Sequence, residues 1–206
     1  MTTETRQAHW DKVYTTKADD SVSWFEQSPA VSLELIEAAG VGLGSIIDIG
    51  GGASRLVDAL LALGHAHVAV LDLSAQALEI TKARLGPLAS AAEWIVGDVT
   101  QWQPAKRFDL WHDRAAFHFL TTPEEQTAYV KALTSALNPG GVAIIGTFAP
   151  DGPEKCCDLA VARHDAATIG IVLGPDFTLL DERRYDHMTP GGSVQKFQFS
   201  SLRKER

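Results

Sequence analysis

Five short apolar runs, rich in β-branched and aromatic residues, are spaced along most of the chain. They cover residues 45–49, 67–72, 93–99, 108–114 and 142–148. Runs of this length predict strands that are buried on both faces of a parallel sheet. Between the runs, apolar residues recur at the spacing of one helix face, and capping residues or glycine and proline mark the ends of these segments. Strands and helices are therefore predicted to alternate.

The C-terminal part of the chain has a different pattern. Two runs, 177–185 and 194–202, lie on either side of the turn Thr189-Pro190-Gly191-Gly192, which predicts an antiparallel hairpin. The whole pattern predicts an α/β fold: a doubly wound, mostly parallel seven-stranded sheet with helices on both faces and a C-terminal antiparallel hairpin. We expect a single domain over residues 1–206, with an N-terminal helical segment at 1–44 and a core at 45–206.

Composition and charge argue against nucleic acid and membranes as partners of this chain. The chain has 206 residues, of which 45% are hydrophobic, and a formal net charge of −8 at pH 7. No run of Lys and Arg precedes the short tail 203–206, which we expect to be solvated, so no nucleic-acid partner is expected. No apolar stretch approaches the ~20 residues that span a bilayer, and the polar residues 1–6 lack a signal-peptide core. The expectation is a soluble, cytoplasmic protein with no membrane partner.

The two cysteines, Cys156 and Cys157, are adjacent. Adjacent cysteines make a strained disulfide and an incomplete metal site, so reduced thiols and no bound metal are expected. They lie in a predicted loop at 149–164, and a loop of this length often covers a substrate pocket. Cys156 either lines that pocket or only packs within the loop.

The turn after the first run combines an acid with glycines and the start of a helix. Asp48 ends the run and is followed by Gly50, Gly51, Gly52 and Ser54. Glycine lets the main chain approach a ligand, and the free amides of the first helical turn point back towards it. The dinucleotide pattern G-x-G-x-x-G would need glycine at position 55, which is Arg55, so a nicotinamide oxidoreductase is disfavoured.

The spacing Asp48-x-Gly50-x-Gly52-x-Ser54 resembles the first motif of the class I S-adenosylmethionine-dependent methyltransferases, with Ser54 in the place of the last glycine. Further motifs resemble the same group: Trp10-Asp11-Lys12-Val13-Tyr14, the pair Trp24-Phe25, and the turn Asn138-Pro139-Gly140-Gly141. The resemblance covers essentially the whole chain. It implies a seven-stranded Rossmann-like core and S-adenosyl-L-methionine as the cofactor.

The predicted cofactor residues follow successive strands. Asp72 ends the second run about 20 residues beyond Gly52, where nucleoside-binding domains of this class place a carboxylate that accepts the ribose hydroxyls. The resemblance implies that Asp98 accepts a hydrogen bond from the adenine amino group and that the amide of Val99 faces the ring. The alternative for Asp98 is a turn residue that bonds its own backbone. The full set is Asp48, Gly50, Gly51, Gly52, Ser54, Asp72, Leu73, Asp98, Val99 and Trp24.

Aromatic residues are dense between residues 9 and 26. They either attach this segment to the domain or form a lid, in which an aromatic face attracts a sulfonium and closure removes water. Both can hold together.

A polar cluster at the end of the fourth run and just after it provides the catalytic candidates, which we expect to face the methyl acceptor. The alternative for each of these residues is a place in a buried polar network. These candidates are His112, Asp113, Arg114 and His118.

The resemblance implies a methyltransferase that acts on a small soluble acceptor through a nitrogen, oxygen or sulfur nucleophile. A protein-lysine methyltransferase is the alternative, because similar motifs occur there. A second alternative is a binding module that senses the cofactor without turning it over. The sequence does not identify the acceptor or the oligomeric state.

Overall fold

A computed structural model describes residues 3–205, and Met1, Thr2 and Arg206 lie outside the described residues. The strands, in chain order, are β1 Ile46–Ile49, β2 Val68–Asp72, β3 Ala92–Val96, β4 Phe108–Arg114, β5 Leu137–Phe148, β6 Lys155–Cys156, β7 Leu159–Ala160, β8 Phe177–Met188 and β9 Val194–Lys204. The helices are α1 Thr3–Thr16, α2 Ala30–Ala38, α3 Leu56–Ala62, α4 Ala75–Leu85, α5 Pro123–Ala136 and α6 Ala166–Leu173.

Seven of the strands form one sheet in the order β3-β2-β1-β4-β5-β9-β8. The first five in this order pair in parallel, whereas β9 pairs antiparallel with both β5 and β8. The α/β fold, its mostly parallel seven-stranded sheet and its C-terminal antiparallel hairpin are thus as the sequence predicts. The order reverses at β1, so the tips of β1, β2 and β4 meet where open sheets of this class bind ligands.

Two apolar clusters lie on the two faces of the sheet. Neighbouring residues alternate between them: Ile47 and Trp111 belong to the cluster under α5 and α6, whereas Ile46 and Leu110 belong to the cluster under α2, α3 and α4. Side chains of successive strand residues point to opposite faces, so a strand covered on both faces must be apolar throughout. The continuous apolar runs of the sequence reflect this double coverage.

Several details differ from the sequence-based expectations. Residues 149–164 contain the short hairpin β6–β7 rather than only loop. Of the tail, Arg203 and Lys204 belong to β9, and Lys204 is buried, with Nζ donating to the carbonyl oxygens of Thr134 and Leu137 at the end of α5. Lys204 is therefore a cap of that helix rather than a solvated terminal residue.

Within residues 3–205, none of the helices combines the length and the hydrophobicity that a bilayer crossing requires.

Candidate functional site

The turn after β1 is shaped so that glycine is required. Gly50 has a φ of +67°, and a Cβ added to it would lie 2.7 Å from the Cβ of Ala116. Cβ atoms added to Gly51 and Gly52 would collide with the carboxylates of Asp48 and Asp72. The main chain therefore runs directly against the tips of β2 and β4, which leaves no room for side chains and exposes backbone to a ligand.

This turn borders a cavity of about 780 Å³, a volume that includes its opening to solvent. The cavity lies at the carboxyl ends of the parallel strands, and α1 contributes to its wall. It is lined by residues from α1, from the strand tips and from the segment after β4: Arg6, Trp10, Tyr14, Trp24, Ile49, Gly50, Leu71, Asp72, Leu73, Gly97, Asp98, Val99, Arg114, Ala115, Ala116, Phe119, Leu120 and Cys156.

Asp72 lies at the tip of β2 with its side chain nearly buried. Its Oδ1 accepts a hydrogen bond from the backbone amide of Ser74 at 2.8 Å. Burial raises the pKa of Asp72 to about 7, although hydrogen bonds from the amides of Ser74 and Gly52 oppose the shift. A carboxyl that is poised near neutrality at a cavity wall is typical of binding sites. Leu73, the next residue, also lines the cavity.

Asp98 and Val99, the residues expected to contact adenine, both line the main cavity. Asp98 Oδ1 accepts hydrogen bonds from the amide of Thr100 at 2.9 Å and from the Thr100 hydroxyl at 2.7 Å. This is the local turn that the alternative interpretation describes. The turn fixes the side chain at the cavity wall, so the two interpretations of Asp98 are compatible.

Asp48 and His112 form a buried pair beneath the glycine turn. The two residues are register partners on β1 and β4. His112 Nδ1 lies 2.7 Å from Asp48 Oδ1, and His112 Nε2 lies 2.9 Å from the hydroxyl of Ser32. Both residues line a second cavity of about 590 Å³ rather than the main one, together with Gly51 and Ser54. Both ring nitrogens of His112 are thus occupied by protein partners.

Ser54 has a local role as well. Its hydroxyl accepts a hydrogen bond from the amide of Leu56 at 3.0 Å, just before α3. Helix α3 begins at Leu56, and its N-cap residue, Arg55, makes no side-chain capping hydrogen bond. The amides between Gly50 and Leu56 therefore belong to a loop that borders the second cavity.

Asp113 and His118, two of the predicted catalytic residues, are fully buried and do not line either of these cavities. Asp113 accepts hydrogen bonds from the hydroxyl of Tyr129 and from the amides of Ala116 and Phe117. Burial raises the pKa of Asp113 to about 6. These bonds hold the segment after β4 in place, which is the buried network that the sequence leaves as an alternative.

His118 packs between aromatic rings, with its ring centroid 4.4 Å from that of Phe119 and 4.8 Å from that of Phe148. Burial, and next the charge of Arg114, lower the pKa of His118 to about 3. A neutral imidazole with no access to the cavity is poorly suited to take a proton from a substrate. The structure thus separates His118 from the acceptor side, whereas Arg114 remains in the lining of both cavities.

Aromatic side chains form the wall opposite the strand tips. Trp10 contacts Trp24 and Phe119 edge to face, with ring centroids 5.8 and 5.0 Å apart, and Tyr14 also packs against Trp24. Two polar contacts tie α1 to the core: an ion pair of Arg6 with Glu125, and a hydrogen bond from the Ser74 hydroxyl to Asp11. Helix α1 therefore forms one wall of the cavity and is attached to the core by these contacts.

Some cavity residues are missing from the sequence-based set. Ala115 and Ala116 line the cavity because Ala115 adopts a φ of +68°, an unusual conformation for a residue with a Cβ, and turns the chain at the tip of β4. Phe119 lines it as well. Small and apolar residues next to a polar cluster carry no chemical signal, so only their adjacency to His112–Arg114 could have indicated them. Cys156 is in the lining, and Cys157 is only partly buried.

An open α/β sheet with acids at the tips of β2 and β3, a glycine turn after β1 and a cavity between them defines a nucleoside-binding protein of the doubly wound class. Comparison with known proteins agrees. Residues 46–141 match a family model described as "Methyltransferase domain". A malonyl-[acyl-carrier protein] O-methyltransferase of Halalkalibacterium halodurans is 30% identical over 112 residues, and a second such enzyme, of Ilyobacter polytropus, is 27% identical over 108 residues. In both, the match covers 52% of this chain and 40% of the relative.

Solved structures share the fold over nearly the whole chain. The N-methyltransferase NodS of Bradyrhizobium japonicum, in complex with S-adenosyl-L-homocysteine, has a TM-score of 0.73 at 17% identity and covers 95% of this chain and 96% of that one. A 1,6-didemethyltoxoflavin N1-methyltransferase of Burkholderia thailandensis has a TM-score of 0.70 at 20% identity, covering 98% and 85%. The match over residues 46–141 and the shared fold support the class I S-adenosylmethionine-dependent methyltransferase superfamily that the sequence motifs resemble, and S-adenosyl-L-methionine is the cofactor that this similarity implies.

The residues present fit this cofactor. The exposed Gly50 of the glycine turn and the acids Asp72 and Asp98 lie in the lining of the same cavity. The second cavity shares Tyr14, Trp24, Gly50 and Arg114 with the first, and it extends along the glycine turn to Ser54. The two cavities therefore adjoin each other along the glycine turn.

Proposed function

We propose that this protein is a methyltransferase that transfers the methyl group of S-adenosyl-L-methionine to a small soluble acceptor through a nitrogen, oxygen or sulfur nucleophile. The observation that carries the proposal is the single cavity in which Asp72, Asp98 and Gly50 meet the tip of β4. The tips of β2 and β3 lie on one side of β1, and the tip of β4 lies on the other. The cavity would therefore have a cofactor end beside β2 and β3 and an acceptor end beside β4.

At the cofactor end, Asp72 would accept the ribose hydroxyls, and Asp98 with the amide of Val99 would hold the adenine. The main chain of the glycine turn, which borders both cavities between Gly50 and Ser54, would hold the methionyl group. Asp48 would act through the pair it makes with His112, which fixes the glycine turn from below.

The bound cofactor supplies a methyl group on a sulfonium, which is already activated for in-line displacement. This chain then has to align the acceptor and exclude water, and the aromatic wall of Trp10, Trp24 and Phe119 is suited to both tasks. The lining of the main cavity, as far as the described residues form it, contains no imidazole. We therefore propose an acceptor that needs no strong base: one that arrives deprotonated or has a free lone pair.

The two malonyl-[acyl-carrier protein] O-methyltransferases support a substrate other than nucleic acid, and NodS and the toxoflavin enzyme are N-methyltransferases by name. The small-molecule acceptor and a cytoplasmic location belong to this proposal. The net charge of −8 supports the absence of a nucleic-acid partner.

The test begins with calorimetric titration of the protein with S-adenosyl-L-methionine and S-adenosyl-L-homocysteine. The protein is then incubated with methyl-labelled cofactor and a cell extract, and the products are separated by size before mass spectrometry. Labelled metabolites of low mass are expected. Label on protein lysine would instead favour the protein-lysine alternative, and tight cofactor binding without any labelled product would favour the sensing module.

A further inference from the structure

Arg114 is the last residue of β4 and lines both cavities. Its side chain is only 12% exposed. Nη1 donates a hydrogen bond to the carbonyl oxygen of Trp24 at 3.0 Å, and the guanidinium carbon lies 4.9 Å from the ring centroid of Phe197. A cation is thus held against an aromatic ring at the acceptor end of the site.

Two nitrogens of this guanidinium are incompletely satisfied. Nε and Nη2 of Arg114 are buried and have no hydrogen-bond partner among the described residues. Nη2 lies 3.1 Å from Glu26 Oε1, close enough for an ion pair but without the geometry of a hydrogen bond. Buried N–H groups without an acceptor are costly, and the cost is higher for a charged group.

Glu26 is itself bound by other residues. Burial raises the pKa of Glu26, while hydrogen bonding from His187 and the charge of Arg114 lower it, with the net result below the usual value. His187 Nδ1 lies 3.6 Å from Glu26 Oε1, and Tyr185 also hydrogen-bonds this carboxylate. The carboxylate is thus shared among three side chains, which explains why it does not fully pair with Arg114.

We infer that Arg114 binds the anionic end of the methyl acceptor, which makes the acceptor a small carboxylic acid with an apolar body. The guanidinium, which lines both cavities, would turn its Nε and Nη2 N–H groups from Glu26 towards the carboxylate, and the aromatic wall of Trp24 and Phe119 would contact the apolar part. This inference rests on the proposed function. It differs from a purely structural role for Arg114, in which the residue only links β4 to the segment around Glu26.

The test uses benzoate as a probe, because it combines a carboxylate with a flat apolar body. The protein is saturated with S-adenosyl-L-homocysteine and titrated with benzoate or with benzamide, which has the same shape without the charge, and tryptophan fluorescence is recorded. We expect saturable benzoate binding and benzamide binding that is weaker by about tenfold or more, since hydrogen bonds to charged groups contribute this much. Equal binding of the two probes, or no saturable binding of benzoate, would overturn the inference.

Variants assign the binding to Arg114. Arg114→Gln should weaken benzoate by about 10–100-fold and leave the S-adenosyl-L-homocysteine affinity within a few-fold, and Arg114→Lys should restore part of the benzoate affinity. Arg6→Gln is the matched control, because Arg6 lines the same cavity but has no buried unpartnered N–H group. If Arg6→Gln causes the same loss, or if Arg114→Gln mainly weakens the cofactor product, Arg114 does not bind the acceptor.

The variant Glu26→Gln should raise the benzoate affinity, and this test does not depend on the stability of the Arg114 variants. In the wild type, the negative charge of Glu26 would repel the benzoate carboxylate, so Glu26→Gln should bind benzoate more tightly. Unchanged or weaker binding would contradict the inference. Failure of the proposed function is distinguishable, because a protein that does not bind S-adenosyl-L-homocysteine would fail before benzoate is added.

Discussion

At the level of single residues, Asp72 connects the chemistry of the site to pH. Its raised pKa of about 7 means that a proton competes with ribose hydroxyls for the same carboxylate near neutrality. The proton is held more firmly in the buried site than in water because the charged form is desolvated. Cofactor binding should therefore depend on pH in a range where most carboxylates are fully ionised.

We expect the affinity for S-adenosyl-L-homocysteine to fall as the pH is lowered from about 8 to about 6, approaching tenfold per pH unit below the pKa. Asp72→Asn should bind more weakly throughout, by about 1–3 kcal/mol, because it removes charge-assisted hydrogen bonds. The variant should also lose this pH dependence. Calorimetric titrations across this range provide the measurement, and a variant that retains the slope would exclude Asp72 as its source.

The adjacent thiols should differ in reactivity. The hydrogen bond between them raises the pKa of Cys156, which burial raises further, and lowers the pKa of the partly exposed Cys157. Because the thiolate is the reactive form, iodoacetamide should modify Cys157 first. Mass spectrometry of partly labelled protein gives the order, and faster labelling of Cys156 would contradict it. In Cys157→Ser only Cys156 can be labelled, and we expect this labelling to be slow. Because Cys156 lines the main cavity, bound S-adenosyl-L-homocysteine should slow it further.

The sequence indicates the positions of the acids far better than the roles of the histidines. Asp72 and Asp98 follow apolar runs, and strand tips in a parallel sheet converge at one edge, so their location follows from the pattern. His112 and His118 also follow such a run, yet one pairs with Asp48 and the other packs among aromatic rings. Which side chains after β4 face the cavity depends on the turn at Ala115. The positive φ of Ala115 has no signature in the sequence, so these orientations could not be predicted.

At the level of elements, α1 is attached by contacts that are individually weak. Its ion pair with Glu125 and its hydrogen bond with Ser74 are both partly buried, and a single polar contact of this kind contributes about 0.5–1.5 kcal/mol. The aromatic contacts of Trp10 with Trp24 and Phe119 supply the rest of the attachment. An element held in this way is a candidate for opening without unfolding of the sheet.

Glu125→Gln should therefore loosen α1 with little effect on the sheet. Hydrogen exchange of the α1 amides should become several-fold faster, which corresponds to about 1 kcal/mol or less. Exchange in β1 and β4 should not change, and S-adenosyl-L-homocysteine should slow exchange in α1. Equal acceleration in α1 and in the sheet would show that the ion pair stabilises the whole fold rather than the cover.

The tip of β4 is held by a buried hydrogen-bond relay to α5. Trp111 Nε1 donates to the hydroxyl of Tyr129 at 2.8 Å, and that hydroxyl donates to Asp113 Oδ2 at 2.7 Å. Tyr129→Phe would leave the indole N–H and a carboxylate oxygen without their partner, so it should lower the free energy of unfolding by about 1–3 kcal/mol. Urea titration measures this loss, and an unchanged midpoint would mean that the relay contributes little.

At the level of the whole molecule, buried ionisable groups act on stability in opposite directions. The folded-state pKa of His118 lies at about 3, below its unfolded value, so its contribution to stability falls as the pH is lowered through about 6.5. The folded-state pKa values of Asp72 and Asp113 are raised to about 7 and about 6. Their contributions to stability are therefore present below about pH 4, the unfolded-state pKa, and are lost as the pH rises from there through the folded-state values. The two effects offset each other in mildly acidic solution.

Removing His118 should leave the pH dependence of the free energy of unfolding to the buried carboxyl groups of Asp72 and Asp113. We expect His118→Gln to destabilise the protein at neutral pH because it disturbs an aromatic cluster, yet to gain stability relative to the wild type between about pH 7 and 5, by up to about 1 kcal/mol per pH unit. The measurement is the free energy of urea unfolding of both proteins at each pH. Parallel curves would show that His118 does not titrate on unfolding.

The close approach of Gly50 to Ala116 also limits how this enzyme class can diversify on this scaffold. Both residues line the main cavity, and the methyl group of Ala116 fills the space beside the Gly50 main chain. A bulkier residue at position 116 would press on the glycine turn, so it could not change recipient selectivity without disturbing the donor loop. New selectivity would have to come from other side chains of the same lining, such as Phe119, Trp24 and Cys156.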